Sequence, residues 1–183
     1  MGTAVQEQVA QQEPVRKSYS RRLIYYHPNS KGAGSAAQFE LRLNRPGEKN
    51  YDCVFLEMAH QKPPGGEVGQ GKGPAAFDWA HKVTVKLDFT DLCAFLLVLE
   101  GRREQMGNGS NGIYHEAAGA STLISLKKSA EHEGYFLGVS KKTREGTQVF
   151  KGHILLNEGE ALGLRCVFQS ALFAIALSTP SGG

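Results

Sequence analysis

Residues 61–74 (QKPPGGEVGQGKGP) contain the spacing that most resembles a chemical motif. The run GEVGQGK matches most of the phosphate-binding loop GxxxxGK[ST], whose backbone N–H groups and lysine hold nucleotide phosphates. However, Gly73 stands where a Ser or Thr would hold magnesium, and Pro74 follows where a helix should begin. The segment therefore indicates a flexible glycine-rich loop between two strands, and we expect no nucleotide site here.

Neither the histidines nor the cysteines have a spacing typical of catalysis or metal binding. The six histidines form no HExxH motif, the three cysteines form no CxxC pair, and no GxSxG sequence is present. Cys93 and Cys166 lie in predicted helices, where packing is the expected role. We therefore predict reduced thiols in a cytosol-like compartment, no metal, no cofactor and no enzymatic activity.

Aromatic residues on predicted strands, with Lys and Arg beside them, form a more informative pattern. A sheet that shows rings and cations to solvent can stack unpaired bases and bind phosphates. Adjacent strand residues point to opposite faces, so Tyr25-Tyr26 and Tyr135-Phe136 each place one ring outside the face that the other occupies. About half of the strand aromatics should still be core residues. This argument predicts a nucleic-acid-binding set of Tyr26, Phe39, Phe55, Tyr135 and Lys142.

The hydrophobic pattern divides the chain into two halves with the same order of elements. Alternating apolar and β-branched runs predict strands at residues 21–27, 37–43, 53–58, 77–87, 113–117, 122–127, 135–139 and 149–156. One helix should follow Thr90 as N-cap, and a second should follow Asn157, with Glu160 completing a capping box. We predict an α+β fold: two ββββα repeats that form two packed antiparallel four-stranded sheets, with helices at the ends.

Composition and charge are those of one globular domain. The chain has 183 residues, 40% hydrophobic and 21% charged, with a formal net charge of +3. Glu7 and Glu13 lie in the first 14 residues, which hold no Lys or Arg, so the remainder carries +5. That charge allows a polyanionic partner without requiring one. We predict a disordered leader (1–19), one domain (20–177) and a disordered tail (178–183).

Targeting signals are weak. No run of about 18 apolar residues predicts a membrane span, and we expect no membrane partner. The N-terminal residues lack the features of a signal or typical transit peptide. We expect a cytoplasmic or nucleoid location, and a mitochondrial location stays open.

Two segments resemble the Whirly family of single-stranded-DNA-binding proteins. Residues 30–37 (SKGAGSAA) are similar to that family's Lys-Gly-Lys-Ala-Ala-Leu segment, and residues 77–82 (FDWAHK) are similar to its Tyr-Asp-Trp-Ser-Arg-Lys strand. The resemblance covers about residues 20–177 and includes the order of elements. It extends to the kinetoplastid mitochondrial guide-RNA-binding proteins and, more distantly, to PUR proteins.

The resemblance implies a homotetramer packed through its helices, with single strands running along sheet edges between protomers. By position in the matched motifs, it implies that Lys31, Trp79 and Lys82 contact nucleic acid. Gly34 and Ser35 interrupt the first motif, and its second lysine is missing. The family's higher assembly is therefore not implied, and its transit peptide and acidic tail have no counterpart here.

The main hypothesis is a non-enzymatic protein that binds single-stranded DNA or RNA with little sequence specificity, as a homo-oligomer. The alternative is a protein-interaction or scaffold subunit that keeps the fold without binding nucleic acid. Trp79→Ala and Lys82→Glu would discriminate between them, because only the first hypothesis predicts loss of strand binding. The choice of DNA or RNA stays open, as does the process, whether replication, repair, transcription or RNA annealing.

Overall fold

The computed structural model describes residues 22–44, 48, 51–63, 74–107, 111–117 and 119–177. The predicted leader and tail, and residues 64–73 of the glycine-rich loop, lie outside these residues. The first half comprises β1 (Arg22–His27), β2 (Ser35–Arg42), β3 (Cys53–His60), β4 (Val83–Leu87) and α1 (Phe89–Leu99). The second half comprises β5 (Ile113–Ala117), β6 (Ala120–Lys128), β7 (Tyr135–Thr143), β8 (Gln148–Leu156) and α2 (Glu158–Leu177).

Each half forms one antiparallel meander followed by a helix. The strand orders are β1-β2-β3-β4 and β5-β6-β7-β8, and each strand pairs with its neighbour in sequence. This arrangement confirms the predicted fold. In β4 the burial alternates along VTVKL, so one face of the sheet enters the core and the other faces outward.

The core lies between the two sheets and the two helices. β8 packs against β2 and β3, α1 against β4 and β6, α2 against β3 and β8, and the helices against each other. At its centre, the ring of Phe168 meets those of Phe39 and Phe95 edge to face, at centroid distances of 5.4 and 5.2 Å. These three rings join α2, the first sheet and α1 in one apolar cluster.

Both helices begin with a capping box. In α1 the N-cap is Asp88 and not the predicted Thr90: Asp88 Oδ1 accepts from the backbone of Asp91, and Asp91 Oδ2 accepts from that of Asp88. Thr90 lies inside the helix, because the carboxylate two residues earlier satisfies the free N–H groups first. The box predicted for α2 is confirmed by reciprocal 2.9 Å bonds between Asn157 and Glu160.

Asp91 and Glu160, which complete the two capping boxes, also connect the two halves of the chain. Asp91 Oδ2 lies 3.0 Å from Nε2 of His115 on β5, and Glu160 Oε1 lies 3.1 Å from Nε2 of His27 on β1. The Tyr25 hydroxyl also donates to the backbone oxygen of Glu160, and burial, with the nearby carboxylate, raises the pKa of Tyr25 to about 12. Each helix N-terminus is thus fixed to the first strand of the opposite half.

The predicted strand over residues 77–87 is shorter than expected. Phe77 makes only an isolated bridge with Gln61, and Trp79–His81 forms a single 3-10 turn before β4. The Asp78 carboxylate lies 2.8 Å from Nδ1 of His81, and this contact holds the pKa of Asp78 below its usual value. Local hydrogen bonding to Asp78 therefore replaces strand pairing at this point.

Candidate nucleic-acid interface

The outward face of the first sheet carries an aromatic patch. Tyr26 is 55% exposed, and its ring centroid lies 5.4 Å from that of Phe77. Phe55 is half-buried on the same face, where its cross-strand neighbours are Glu40 and Lys86. Tyr26 and Phe55 thus lie where the sequence predicted, on a surface that can offer ring faces to a base.

Carboxylates already pair with several of the cations on this face. Lys82 Nζ lies 2.7 Å from Glu57 Oε2, and Arg22 Nε lies 2.6 Å from Glu40 Oε2. Burial raises the pKa of Glu57, but hydrogen bonds from Lys82, Gln38 and Thr84 outweigh that effect and hold it below its ordinary value of 4.5. Lys82 is therefore exposed but engaged, so a phosphate would have to compete with Glu57 for it.

Lys31 lies in the turn between β1 and β2, which Asn29 and Gln61 hold. The Asn29 side chain accepts from the backbone of Lys31 at 3.0 Å, and Gln61 Oε1 accepts from the backbones of Asn29 and Gly34. A Cβ on Gly34 would lie 2.3 Å from the His27 carbonyl oxygen. Gly34 is thus required by this close packing, and Lys31 projects from a well-defined, exposed turn.

Trp79 opens the 3-10 turn and is half-buried. Phe77, two residues before Trp79, pairs with Gln61, and Gln61 accepts a hydrogen bond from the turn that contains Lys31. Trp79 therefore lies near the same end of the first sheet as Lys31. The structure thus brings Tyr26, Phe77 and the Lys31 turn to one end of the sheet, with Trp79 beside them.

Two predicted stacking residues face the core instead. Phe39 is only 2% exposed and packs against Tyr25 and Phe168, so it cannot stack on a base. Tyr135 is partly buried against the core, and its neighbour Phe136 takes the outward face. Alternation along a strand correctly predicted that the two rings of each adjacent pair lie on opposite faces. It does not indicate which face of each sheet is buried.

Lys142 is exposed on the outward face of the second sheet, apart from the other predicted residues. That face carries an open groove of about 370 Å³ that the prediction missed. Alternate residues of β6, β7 and β8 supply most of its lining: Leu123, Ser125, Lys127, Phe136, Gly138, Ser140, Lys151 and His153.

A signal for this groove exists in the sequence. In β8 (QVFKGHILL), Lys151 and His153 alternate with Phe150 and Ile154, so they must leave the face that those apolar residues bury. Gly138, which interrupts the apolar run of β7, is a position where another group can approach the backbone closely.

The outward face of α2 is apolar as well. Phe173 and Leu177 are 70% and 62% exposed, and Leu162 and Cys166 lie on the same side of the helix. We call these four residues the outer stripe. The opposite side, which includes Phe168, is buried in the core, so α2 is apolar on both sides. By length and composition alone, α2 could also cross a membrane, and it is the one helix among the described residues that could.

The described residues contain no group of three His, Cys, Asp or Glu side chains placed to hold a metal ion. All three cysteines are free: Cys53 is buried, Cys93 is half-buried and Cys166 is exposed. Burial raises the pKa of Cys53. The predicted packing role thus holds for Cys93 in part, whereas Cys166 is exposed because its side of α2 turns away from the core.

Comparison by sequence finds no matching protein-family model and no matching curated protein. Comparison by structure finds 19 matching chains. WHY1 from Arabidopsis thaliana aligns with a TM-score of 0.63 and 16% identity, over 87% of this chain and 86% of that one. Trypanosoma brucei MRP1/MRP2 aligns with a TM-score of 0.59 and 16% identity, over 88% and 90%. A guide-RNA-binding protein complex bound to a gRNA aligns with a TM-score of 0.53 and 16% identity, over 86% and 92%.

These alignments define the class of fold. The protein has the architecture of the Whirly proteins and of MRP1/MRP2, with two four-stranded antiparallel sheets and a helix after each. The resemblance inferred from residues 30–37 and 77–82 is thus confirmed in the fold.

Proposed function

We propose that this protein binds single-stranded DNA or RNA with little sequence specificity, as a homo-oligomer and without a catalytic step. The observation that carries the proposal is the outward surface of the sheets, where exposed rings lie among lysines and arginines. The fold adds support, since one solved structure that shares it is a guide-RNA-binding complex bound to a gRNA. Such binding would serve transcription regulation or DNA repair in a cytoplasmic or nucleoid compartment.

In this mechanism, bases stack on rings that are exposed or half-buried at the surface, and lysines neutralise phosphates. Tyr26, Phe55 and Trp79 provide rings on or beside the first sheet, and stacking on such rings tolerates any base because every base has a π-face. Lys31 and Lys142 project into solvent and can reach phosphates directly. Sequence preference should be small, because this scheme needs no base-edge hydrogen bonds.

Fluorescence anisotropy tests the proposal with a labelled oligonucleotide of about 30 nucleotides, offered as single-stranded DNA, duplex DNA and single-stranded RNA. We expect tight binding to single strands that weakens strongly between about 50 and about 200 mM salt, and weak binding to duplex. The ratio of the DNA to RNA affinities would then identify the substrate. A salt slope near zero would refute the phosphate contacts.

Trp79→Ala and Lys82→Glu separate this function from the scaffold alternative. Under the proposal both variants lose strand affinity while the circular dichroism spectrum and the oligomeric mass stay those of the parent protein. If the parent protein binds none of the three nucleic acids, the scaffold alternative replaces the proposal, and partner proteins become the next search.

We further propose that the chain self-associates through the outer stripe of α2. A monomer rarely leaves two large apolar side chains such as Phe173 and Leu177 on one exposed helix face, and a second copy would bury both. Light scattering should show an oligomer for the parent protein, and Phe173→Asp should reduce its mass. A monomeric parent protein that sediments with lipid vesicles would overturn this in favour of a membrane surface.

A further inference from the structure

The two sheets differ in charge as well as in shape. The strands of the first sheet hold two arginines and one lysine against Glu40 and Glu57, whereas those of the second hold five lysines against Glu116 alone. Among the described residues, none of Lys127, Lys142 and Lys151 lies within salt-bridge distance of a carboxylate. A phosphate backbone would therefore meet uncompensated charge on the second sheet and paired charge on much of the first.

The groove on that second sheet has the form of a base site. Gly138 lies in the middle strand of the three and adds no side chain, so the space above it is bounded by its neighbours. Along β7 these are Phe136 and Ser140, which are about 14 Å apart at the strand rise of about 3.4 Å per residue. Across the sheet they are Ser125 and His153, about 10 Å apart at about 4.8 Å per strand.

The walls of the groove combine stacking and charge. Lys127 Nζ lies 5.8 Å from the ring centroid of Phe136, so ring and cation stand together at one end. Lys151 stands at the other end, on β8, directly opposite Ser140 of β7. The backbone at Gly138 lies between these two ends, Leu123 lines the same end as Lys151, and no acidic residue lines the groove. An apolar slot between two lysines is complementary to a planar base that carries a phosphate on either side.

We propose that this groove receives unpaired bases, with Phe136 as the stacking residue and Lys127 and Lys151 on the flanking phosphates. The inference rests on the proposed function and deepens it, because it moves the main contact from the first sheet to the second. The ligand class is a single-stranded nucleic acid whose bases are free to leave the stack.

Adjacent lysines of β6 provide a matched test. Lys127 faces the groove, whereas Lys128 is also exposed but points to the opposite side of the strand. With a labelled single strand, Lys127→Ala and Lys151→Ala should each make the salt slope shallower by about 0.7, the value for one phosphate contact on single strands. Lys128→Ala, which removes the same charge, should leave the slope unchanged.

Two further variants address the ring and the slot. Phe136→Ala should weaken binding about 5- to 150-fold, the range for one base–aromatic stack. Gly138→Val should fill the slot with a similar loss. The strand should accept the new Cβ, because the movable Ser125 hydroxyl at 2.8 Å must shift, while the Gly152 carbonyl oxygen lies at an ordinary contact distance of 3.8 Å. Urea unfolding of each variant checks that the fold is retained.

Photo-crosslinking with a strand that contains 5-iodouracil maps the contact directly. We expect the crosslinked peptide to contain Phe136. Crosslinks confined to Tyr26, Phe77 or Trp79, or groove variants that bind as tightly as Lys128→Ala, would overturn this inference while leaving the proposed function intact. A parent protein that binds no single strand at all would instead refute the proposed function itself.

Discussion

Phe168 and Phe173 occupy opposite sides of α2 and should respond in opposite ways to the same substitution. Phe168 is fully buried and meets two other rings edge to face, whereas Phe173 is 70% exposed. Replacing a buried Phe by Ala costs about 3–5 kcal/mol. The upper end, about 5 kcal/mol, is expected for Phe168→Ala because both edge-to-face contacts disappear with the ring.

Phe173→Ala removes only the minority of the side chain, about 30%, that the protomer itself buries, which is worth about 1 kcal/mol at about 25 cal/mol per Å². Alanine also has the higher helix propensity, by about 0.5 kcal/mol, so the free energy of unfolding of a dilute protomer should stay within about 0.5 kcal/mol of the parent value. If the outer stripe joins protomers, the parent protein's midpoint should rise with concentration, and Phe173→Ala should remove that dependence.

Urea unfolding followed by circular dichroism and by the fluorescence of Trp79 measures both variants. A domain is stable by only about 5–15 kcal/mol, so Phe168→Ala could fail to fold. Phe168→Leu, which keeps most of the apolar volume, should then lose about 1–2 kcal/mol and serve as the measurable form. A loss below about 2 kcal/mol for folded Phe168→Ala, or an equal loss for Phe173→Ala in dilute protomer, would refute the assignment of the two faces.

Three further predictions test particular contacts. The pKa of Glu57 is lower in the folded protein than in the unfolded chain, so its ionised carboxylate stabilises the fold fully above the unfolded-state pKa. This stabilisation is lost as the pH falls through the folded-state pKa. In Glu57→Gln, the urea midpoint should therefore depend less on pH below about pH 4.5 than it does in the parent protein. Gly34→Ala should cost about 1–3 kcal/mol, because the new methyl would meet the His27 carbonyl, and a thermal scan that shows no loss would contradict this packing. Asp91→Ala should cost about 1–2 kcal/mol in urea, since it removes half of a capping box, while Thr90→Ala, the cap expected from the sequence, should cost less.

Only some residues of the candidate nucleic-acid interface could be placed correctly from local sequence patterns. Tyr26 is exposed as predicted, because alternation along a strand fixes which residues share a face. Lys142 is exposed as well, but it lies in β7, which continues to Thr143, and not in the turn that the sequence predicts after residue 139. Phe39 and Tyr135 were misplaced, since alternation alone does not say which face the rest of the chain will cover. The Glu57 carboxylate that engages Lys82 comes from another strand, 25 positions earlier, and only the β3–β4 register brings the two together.

By itself, the sequence determined the order of elements, the antiparallel sheets and the start of α2 at Asn157, because strand alternation, helical periodicity and capping boxes are local properties of the chain. Tertiary structure alone decided which ring of each adjacent pair is buried, which lysines remain uncompensated and where a groove opens above Gly138. These outcomes depend on contacts between residues far apart in sequence. The packing of the two halves supplies those contacts: β8 against β2 and β3, and each helix N-terminus against the opposite half.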